Sequence, residues 1–363
     1  MISSPEWLHD KQLRLARKNT FDGALVLGTS NFNKSTGRVT KPINPFQKYI
    51  DPDTGLIRTD IIRPRNCPVC GEAPGQGLFI KDGFRHVRCP SCDLIYVSLI
   101  LREDIMVQYW REEIAWMGVL QSGPQVDMDR LKFTYGLDVA SSLCGIENPG
   151  SLLDVGAGTG TFVRIAKEAG WKTTALEFNI ASAESLEREG YRVIVKPLEL
   201  ADLPPASFDL ITLWEILEHV AEPQLILRNV SKLLTPSGIL LILVPNAGSL
   251  VTRILHEKSN TFGGHSHLNH FNVTSLKYLL ETNGFEILET ETLLTELGTI
   301  NNYLDYQDPY LGDAKPFFDS LTPEIIHDRL WGSRLLVLSK KKEASKPNED
   351  DFHDSPDSFD PSF

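Results

Sequence analysis

The chain has 363 residues, 41% of them hydrophobic, and a formal net charge of −12. That length supports one large α/β unit with a smaller module beside it, and the acidic balance argues against a nucleic-acid partner, which calls for a basic face. No run approaches the roughly 18 continuous apolar residues of a membrane helix, the N-terminus lacks the apolar stretch of a secretory signal, and five cysteines are too few for a disulfide scaffold in a chain this long, so a cytoplasmic protein without membrane association is expected.

Residues 1–60 form an extension with no assignable role. Trp7–Lys18 has the pattern of a short amphipathic helix, with Lys11, Arg14, Arg17 and Lys18 as a solvated basic face, and Ala24–Leu27 reads as one strand. Residues 61–100 hold four cysteines, Cys67, Cys70, Cys89 and Cys92, in the spacing C-x2-C-x18-C-x2-C. This spacing lies in the four-thiolate zinc range. Four protein ligands close a tetrahedral site to water, so the predicted ion is structural. Two disulfides are the alternative, which a cytosolic setting disfavours. Residues 101–146 read as a helical connector, with apolar positions recurring at three and four from Ile105 to Leu143 and a break at Gly123 and Pro124. Cys144 is expected to be a small buried residue.

Residues 147–340 alternate between strand and helix. Strands are predicted at Ser151–Val155, Lys172–Glu177, Arg192–Val195, Phe208–Trp214, Ile239–Val244, Phe285–Leu293 and Arg334–Ser339. Helices are predicted at Thr161–Ala169, Ile180–Glu189, Leu225–Leu234 and Ser275–Glu281. This pattern predicts an α/β fold: a Rossmann-like, seven-stranded, mostly parallel sheet with helices on both faces, plus a small N-terminal zinc ribbon. Residues 341–363 are acidic and rich in Ser and Pro, and are expected to be disordered.

The first of these strands runs into Gly156, Gly158 and Gly160 and then into a helix. Glycine permits the tight turn and lets a ligand approach bare backbone, and the helix N-terminus favours negative or polar ligand groups. The dinucleotide fingerprint G-x-G-x-x-G needs a third glycine where Thr161 stands, which disfavours a nicotinamide oxidoreductase. An acid, Asp154, instead lies two residues before the first glycine. It would repel a pyrophosphate but can accept from an ammonium group. The segment resembles motif I of class I S-adenosylmethionine-dependent methyltransferases. The resemblance implies that Asp154, Gly156, Gly158 and Gly160 bind the donor's amino-acid end. It implies that Glu177, with Phe178 beside it, grips the ribose. Leu198 falls where the family contacts adenine, with Glu199 or Asp202 as the acid there. Trp214 falls at the end of the fourth strand, facing the donor.

That strand continues into Glu215, Glu218 and His219. A base is needed where the acceptor must lose a proton, and imidazole has a suitable intrinsic pKa. His219 is the first candidate, with Glu218 to orient it or to serve itself. The E-x-x-E-H spacing resembles ubiquinone-pathway O-methyltransferases, in which it implies a bound divalent cation, here Mg²⁺ on Glu215, Glu218 and His219. The bland reading is that the acids cap the next helix. A second group, His265, His267 and His270, precedes the helix near Ser275. It is read as substrate contact or base, with a structural role or a metal site as alternatives. The ribbon followed by this core resembles sugar C-methyltransferases over roughly residues 65–295, although those enzymes carry a further C-terminal domain. The expected activity is methyl transfer to a small-molecule or glycan-like acceptor, with Tyr96, Tyr109 and Trp110 as pocket wall or as core. The alternatives are an Mg²⁺-assisted O-methyltransferase acting on a phenol-like substrate, and a catalytically inert zinc-ribbon binding protein. Residues 296–330, with Tyr303, Tyr306, Tyr310, Phe317 and Phe318, read as a lid, a pocket wall or an interface.

Overall fold

The computed structural model describes residues 13–18, 32–33, 38–39, 45–112, 123–143, 148–307 and 320–342. Residues 13–18 are helical, within the predicted Trp7–Lys18 helix. The expected strand at Ala24–Leu27, Cys144, the acidic tail and the aromatic residues Tyr310, Phe317 and Phe318 lie outside the described residues.

The ribbon comprises β1 (Ile62–Pro64), β2 (Gly77–Lys81), β3 (Phe84–Arg88), β4 (Ile95–Val97) and β5 (Leu99–Leu101). Two helices follow, α1 (Glu103–Glu112) and α2 (Gly123–Leu143). Then come β6 (Ser151–Val155), α3 (Thr161–Glu168), β7 (Lys172–Leu176), α4 (Ile180–Arg188), β8 (Arg192–Ile194), β9 (Phe208–Trp214), α5 (Pro223–Leu233) and β10 (Leu234–Pro245). The remaining elements are α6 (Leu250–Leu255), β11 (Asn269–His270), α7 (Val273–Thr282), β12 (Phe285–Leu293), α8 (Leu297–Gln307), α9 (Pro323–Asp328) and β13 (Arg334–Lys341).

Seven strands form one sheet in the order β8-β7-β6-β9-β10-β13-β12. β6 to β10 pair in parallel, and β13 runs antiparallel between β10 and β12. Side chains alternate across this sheet. Leu153, Val155, Ile211, Leu213, Leu240, Ile242 and Val244 join one core with Ile226 and Leu227 of α5 and Leu276 and Leu279 of α7. Leu152, Leu210, Ile239, Leu241 and Leu243 join the other, with Tyr135 of α2 and Phe162 of α3. The period of two arises from the pleat, and helices on both faces explain why the central strands are apolar throughout. Each fully buried Leu or Ile contributes about 1.5–3 kcal/mol relative to exposure.

Element ends follow local chemistry. β10 begins at Leu234, earlier than the apolar run from Ile239 suggests, because Leu234 pairs with Phe208 across a register shift in β9. α7 begins at Val273, because Asn272 is its N-cap and exchanges bonds with Ser275 in a capping box.

The ribbon is not separate from the core. Cys67, Cys89, Cys92 and Tyr96 sit in the same apolar cluster as Leu153 and Val244. Its antiparallel sheet, ordered β11-β4-β3-β2, takes its fourth strand from the loop after β10. Arg65 crosses the junction, buried, and donates to the carbonyls of Val97, Ala221 and Leu268 at 2.8, 3.1 and 2.7 Å and to Asn269 Oδ1 at 2.9 Å.

Candidate active site

The order of strands reverses between β6 and β9, so a crevice opens beyond their carboxyl ends. The glycine turn stands there. Gly156, Gly158 and Gly160 all have positive φ, at 77°, 53° and 81°. A Cβ on Gly156 would lie 2.1 Å from Ile216 Cδ1, whereas one on Gly158 would meet nothing within 4 Å. The first glycine is needed for packing as well as for its φ, and the second only for its φ.

Asp154 and Thr212 are register partners across the β6–β9 pair. Their side chains therefore share a face, and the Thr212 hydroxyl donates to Asp154 Oδ1 at 2.7 Å. Burial pushes the Asp154 carboxyl up to about 7 despite that bond, and the charge of Glu177 adds to the rise. Glu177 follows β7. Its Oε2 accepts from Gly158 N at 2.5 Å and its Oε1 from Asn179 N at 2.6 Å. Burial raises its pKa against these two bonds. Two buried carboxylates thus flank the glycine turn. Phe178 lies under the Arg111 guanidinium of α1, 5.4 Å from the ring centroid. Leu198 is buried with Leu176 and Val155. Trp214 faces the opposite core, against Phe133 and Phe162, and its indole edge fills the space where a Cβ of Gly136 would fall, 2.5 Å from Cη2.

The acidic-histidine segment after β9 divides in two. Glu215 has a φ of 54°, uncommon for a residue with a side chain, and pairs with Arg334 at the start of β13. Burial alone would raise its pKa, but Arg334 and Lys132 overcome this and hold the carboxyl well below the usual range. Glu218 is buried, and neither carboxylate oxygen has a hydrogen-bond partner. Its pKa is raised well above the ordinary value by burial and then by Glu215. His219 lies beside it, with Nε2 3.9 Å from Glu218 Oε1 and Nδ1 2.8 Å from the Ser266 carbonyl.

The histidine loop is drawn onto this segment by backbone bonds. Leu268 N and Asn269 N both donate to the Glu218 carbonyl, at 2.6 and 3.1 Å. Asn269 Nδ2 donates to the carbonyls of Leu217 and Val220, each at 2.8 Å. His267 is thereby set against His219, ring centroids 4.8 Å apart at 73°. His270 goes elsewhere, buried against His86 of the ribbon and Phe262 at 5.0 Å each. His265 packs on Phe46 and Tyr109. Trp110 stands edge-on to His219 at 5.0 Å, and its carbonyl accepts from Asn179 Nδ2 at 3.3 Å, so α1 spans from the carboxylate turn to the histidines. Tyr96 is buried in the core.

Arg65, Asn269, Lys132 and Arg334 were not singled out from the sequence. Arg334 carried a usable signal. In an antiparallel last strand, the first residues lie level with the carboxyl ends of its parallel neighbours, as its pairing with Pro245 shows.

The four cysteines are free thiols, with Sγ atoms 3.5 Å apart for Cys67 and Cys92 and 3.3 Å for Cys70 and Cys89. All four sulfurs lie within 4.8 Å of one another. A tetrahedron with Zn–S of about 2.3 Å has edges of about 3.8 Å, so the set suits a zinc ion. Among the described residues no helix is long and apolar enough to cross a membrane.

Residues 135–290 match the methyltransferase domain family. The chain is 35% identical over 95 residues to the ubiquinone biosynthesis O-methyltransferase of Idiomarina loihiensis, covering 24% of this chain and 39% of that protein. It is 30% identical over 125 residues to the ubiquinone biosynthesis O-methyltransferase of Neisseria meningitidis serogroup A, covering 31% and 49%. The chain thus spans less than half the length of these curated relatives. Among solved structures, the 1,6-didemethyltoxoflavin-N1-methyltransferase of Burkholderia thailandensis, with bound 1,6-didemethyltoxoflavin and S-adenosylhomocysteine, aligns over 74% of this chain and all of that one, at 16% identity and a TM-score of 0.46. Residues 135–290 therefore form a methyltransferase domain, in a chain that also carries a four-cysteine ribbon.

Proposed function

We propose that this chain transfers a methyl group from S-adenosylmethionine to a small-molecule or glycan-like acceptor. The observation that carries the reading is the pair of buried carboxylates, Asp154 and Glu177, flanking a glycine turn at the switch point of the sheet. Such a pair suits a ligand that is cationic at one end and offers two vicinal hydroxyls further along. The turn's backbone and the N-terminus of α3 take its remaining polar groups. Glu177 accepts from the ribose, and Asp154 from the ammonium. The sulfonium supplies an activated methyl group, and the acceptor's nucleophilic atom must be aligned behind it and lose its proton. Glu218, His219 and His267 form the acceptor end, where that proton is lost, with Trp110 as the adjoining wall. The relatives named for ubiquinone biosynthesis favour an oxygen nucleophile. Calorimetric titration with S-adenosylhomocysteine tests the reading. Micromolar binding is expected, and a folded chain that does not bind it overturns the proposal.

Asp154 gives that affinity a pH dependence. With its pKa near 7, the carboxyl is neutral below and charged above that point. Affinity for the cationic end is therefore expected to strengthen between about pH 6 and about pH 8, and a flat profile in calorimetry would remove Asp154 from the donor site. The ligand-free fold responds in the opposite sense. It holds the proton more tightly than the unfolded chain, so this contribution to stability is lost as pH rises through about 7.

The ribbon serves this site as a scaffold, with Cys67, Cys70, Cys89 and Cys92 holding a structural zinc ion. It supports the histidine loop through the β4–β11 pairing, through His86 Nε2 at 3.0 Å from the Gly263 carbonyl, and through Phe84 packed where a Cβ of Gly264 would fall. At least one zinc per chain is expected by elemental analysis. Cys89→Ser is expected to lose it, with several kcal/mol of stability. A variant that keeps both metal and melting temperature would argue against the site.

A further inference from the structure

We infer that Glu218, His219 and His267 bind a borderline first-row divalent ion, such as Mn²⁺, Fe²⁺, Co²⁺ or Zn²⁺, through one carboxylate and two imidazoles. One ligand atom from each lies within 4.8 Å of the others. The E-x-x-E-H spacing points to a different set, in which Glu215 joins Glu218 and His219 around Mg²⁺. The structure does not fit that set, because the Glu215 carboxylate is held by Arg334. Its place is taken by His267, the residue after Ser266, whose carbonyl bonds His219 across 47 residues of sequence.

Three features have the chemistry of a metal site. The Nδ1 of His219 lies 2.8 Å from the Ser266 carbonyl and that of His267 lies 2.9 Å from the Thr261 carbonyl. A carbonyl only accepts, so each Nδ1 carries the proton and each Nε2 carries the lone pair. This is the outer-shell arrangement that orients metal-binding imidazoles. Glu218 is 1% exposed, and neither of its oxygens is hydrogen-bonded. Burying a carboxylate without a partner at such a position is unfavourable, and a bound cation offsets that cost. The cations nearest in the network, Arg334 and Lys132, are engaged with Glu215 and Asp129.

The donor set also selects the ion. Mg²⁺ prefers oxygen ligands in a near-ideal octahedron, whereas two imidazoles and one carboxylate suit first-row transition ions and leave coordination positions open. Glu218, His219 and His267 would hold such an ion, and it would supply a Lewis acid that makes an acceptor hydroxyl at this end of the site easier to deprotonate. The ion's binding does not depend on methyl transfer, and the two are measured separately.

The test uses the full chain, stripped of metal, reloaded with one equivalent of Zn²⁺ for the ribbon and titrated with Co²⁺ without oxygen. One further equivalent of Co²⁺ is expected to bind, with weak visible d–d bands and no thiolate-to-cobalt charge transfer, and a large excess of Mg²⁺ should not displace it. His267→Ala is expected to weaken Co²⁺ binding by about a hundredfold or more, while Glu215→Gln changes it little. Titration of the same preparations with S-adenosylhomocysteine, and their near-ultraviolet circular dichroism, report the donor site and the fold independently. A folded wild-type chain that takes no second ion overturns the inference. So does displacement of Co²⁺ by Mg²⁺, or a site lost in Glu215→Gln but kept in His267→Ala. Failure to bind S-adenosylhomocysteine with Co²⁺ still bound would instead sink the methyl-transfer reading and leave the ion site standing.

Discussion

Glu177→Ala is expected to weaken S-adenosylhomocysteine binding by at least about a hundredfold. Each hydrogen bond to a charged partner contributes about 1.5–3 kcal/mol, and every 1.4 kcal/mol is a factor of about ten in affinity. Losing two ribose contacts therefore amounts to roughly two to four orders of magnitude. The substitution also removes the acceptor for Gly158 N and Asn179 N. Both lie in the turns that border the crevice, where water can replace the carboxylate, so the cost to folding is expected to be about 1–2 kcal/mol. Calorimetry beside thermal unfolding separates the two effects. Binding within threefold of wild type by a folded variant would remove the ribose role from Glu177.

Arg65→Met is expected to cause the larger loss of stability. The guanidinium satisfies three backbone carbonyls and the Asn269 side chain at a junction closed to water. Burial lowers its pKa to about 9, so it remains charged at neutral pH. A methionine fills much of the volume but leaves the carbonyls of Val97, Ala221 and Leu268 without that donor. Breaking a buried charged network in this way costs about 3–5 kcal/mol, equivalent to a fall in melting temperature of roughly 10 °C for a chain of this size. Because Asn269 also sets the Leu217–Val220 segment against the histidine loop, the pairing of His219 with His267 should loosen as well. A fall of less than about 3 °C would show that the ribbon and the core are held together by other contacts.

The parallel sheet was legible because each of its signals is local. Apolar runs near five residues long, helices closed by glycine and an intact glycine turn need only neighbouring residues to be read, and the strands at Ser151–Val155, Phe208–Trp214 and Phe285–Leu293 have the predicted bounds. The convergence of the four cysteines follows from spacing in the same way. The histidines were harder to read. Sequence proximity grouped His265, His267 and His270, yet the three rings point into different surroundings: Phe46 and Tyr109, His219, and His86 with Phe262. Glu215 and Glu218 share the E-x-x-E-H pattern as possible ligands of one ion, and the ion pair of Glu215 with Arg334 separates them.

The sequence by itself determined the chain's repertoire: a Rossmann-like sheet, a glycine turn between two acids, and four thiols at zinc spacing. These are properties of contiguous segments, specified by the residues' own φ preferences and by hydrophobic period. Tertiary structure decided which side chains meet. Inserting β13 antiparallel beside β10 brings Arg334 to the carboxyl end of the sheet, where it neutralises Glu215. Pairing β11 with the ribbon's β4 carries His267 to His219 and turns His270 away. Those outcomes depend on strand order and on hydrogen bonds between segments tens to hundreds of residues apart, which no local pattern encodes.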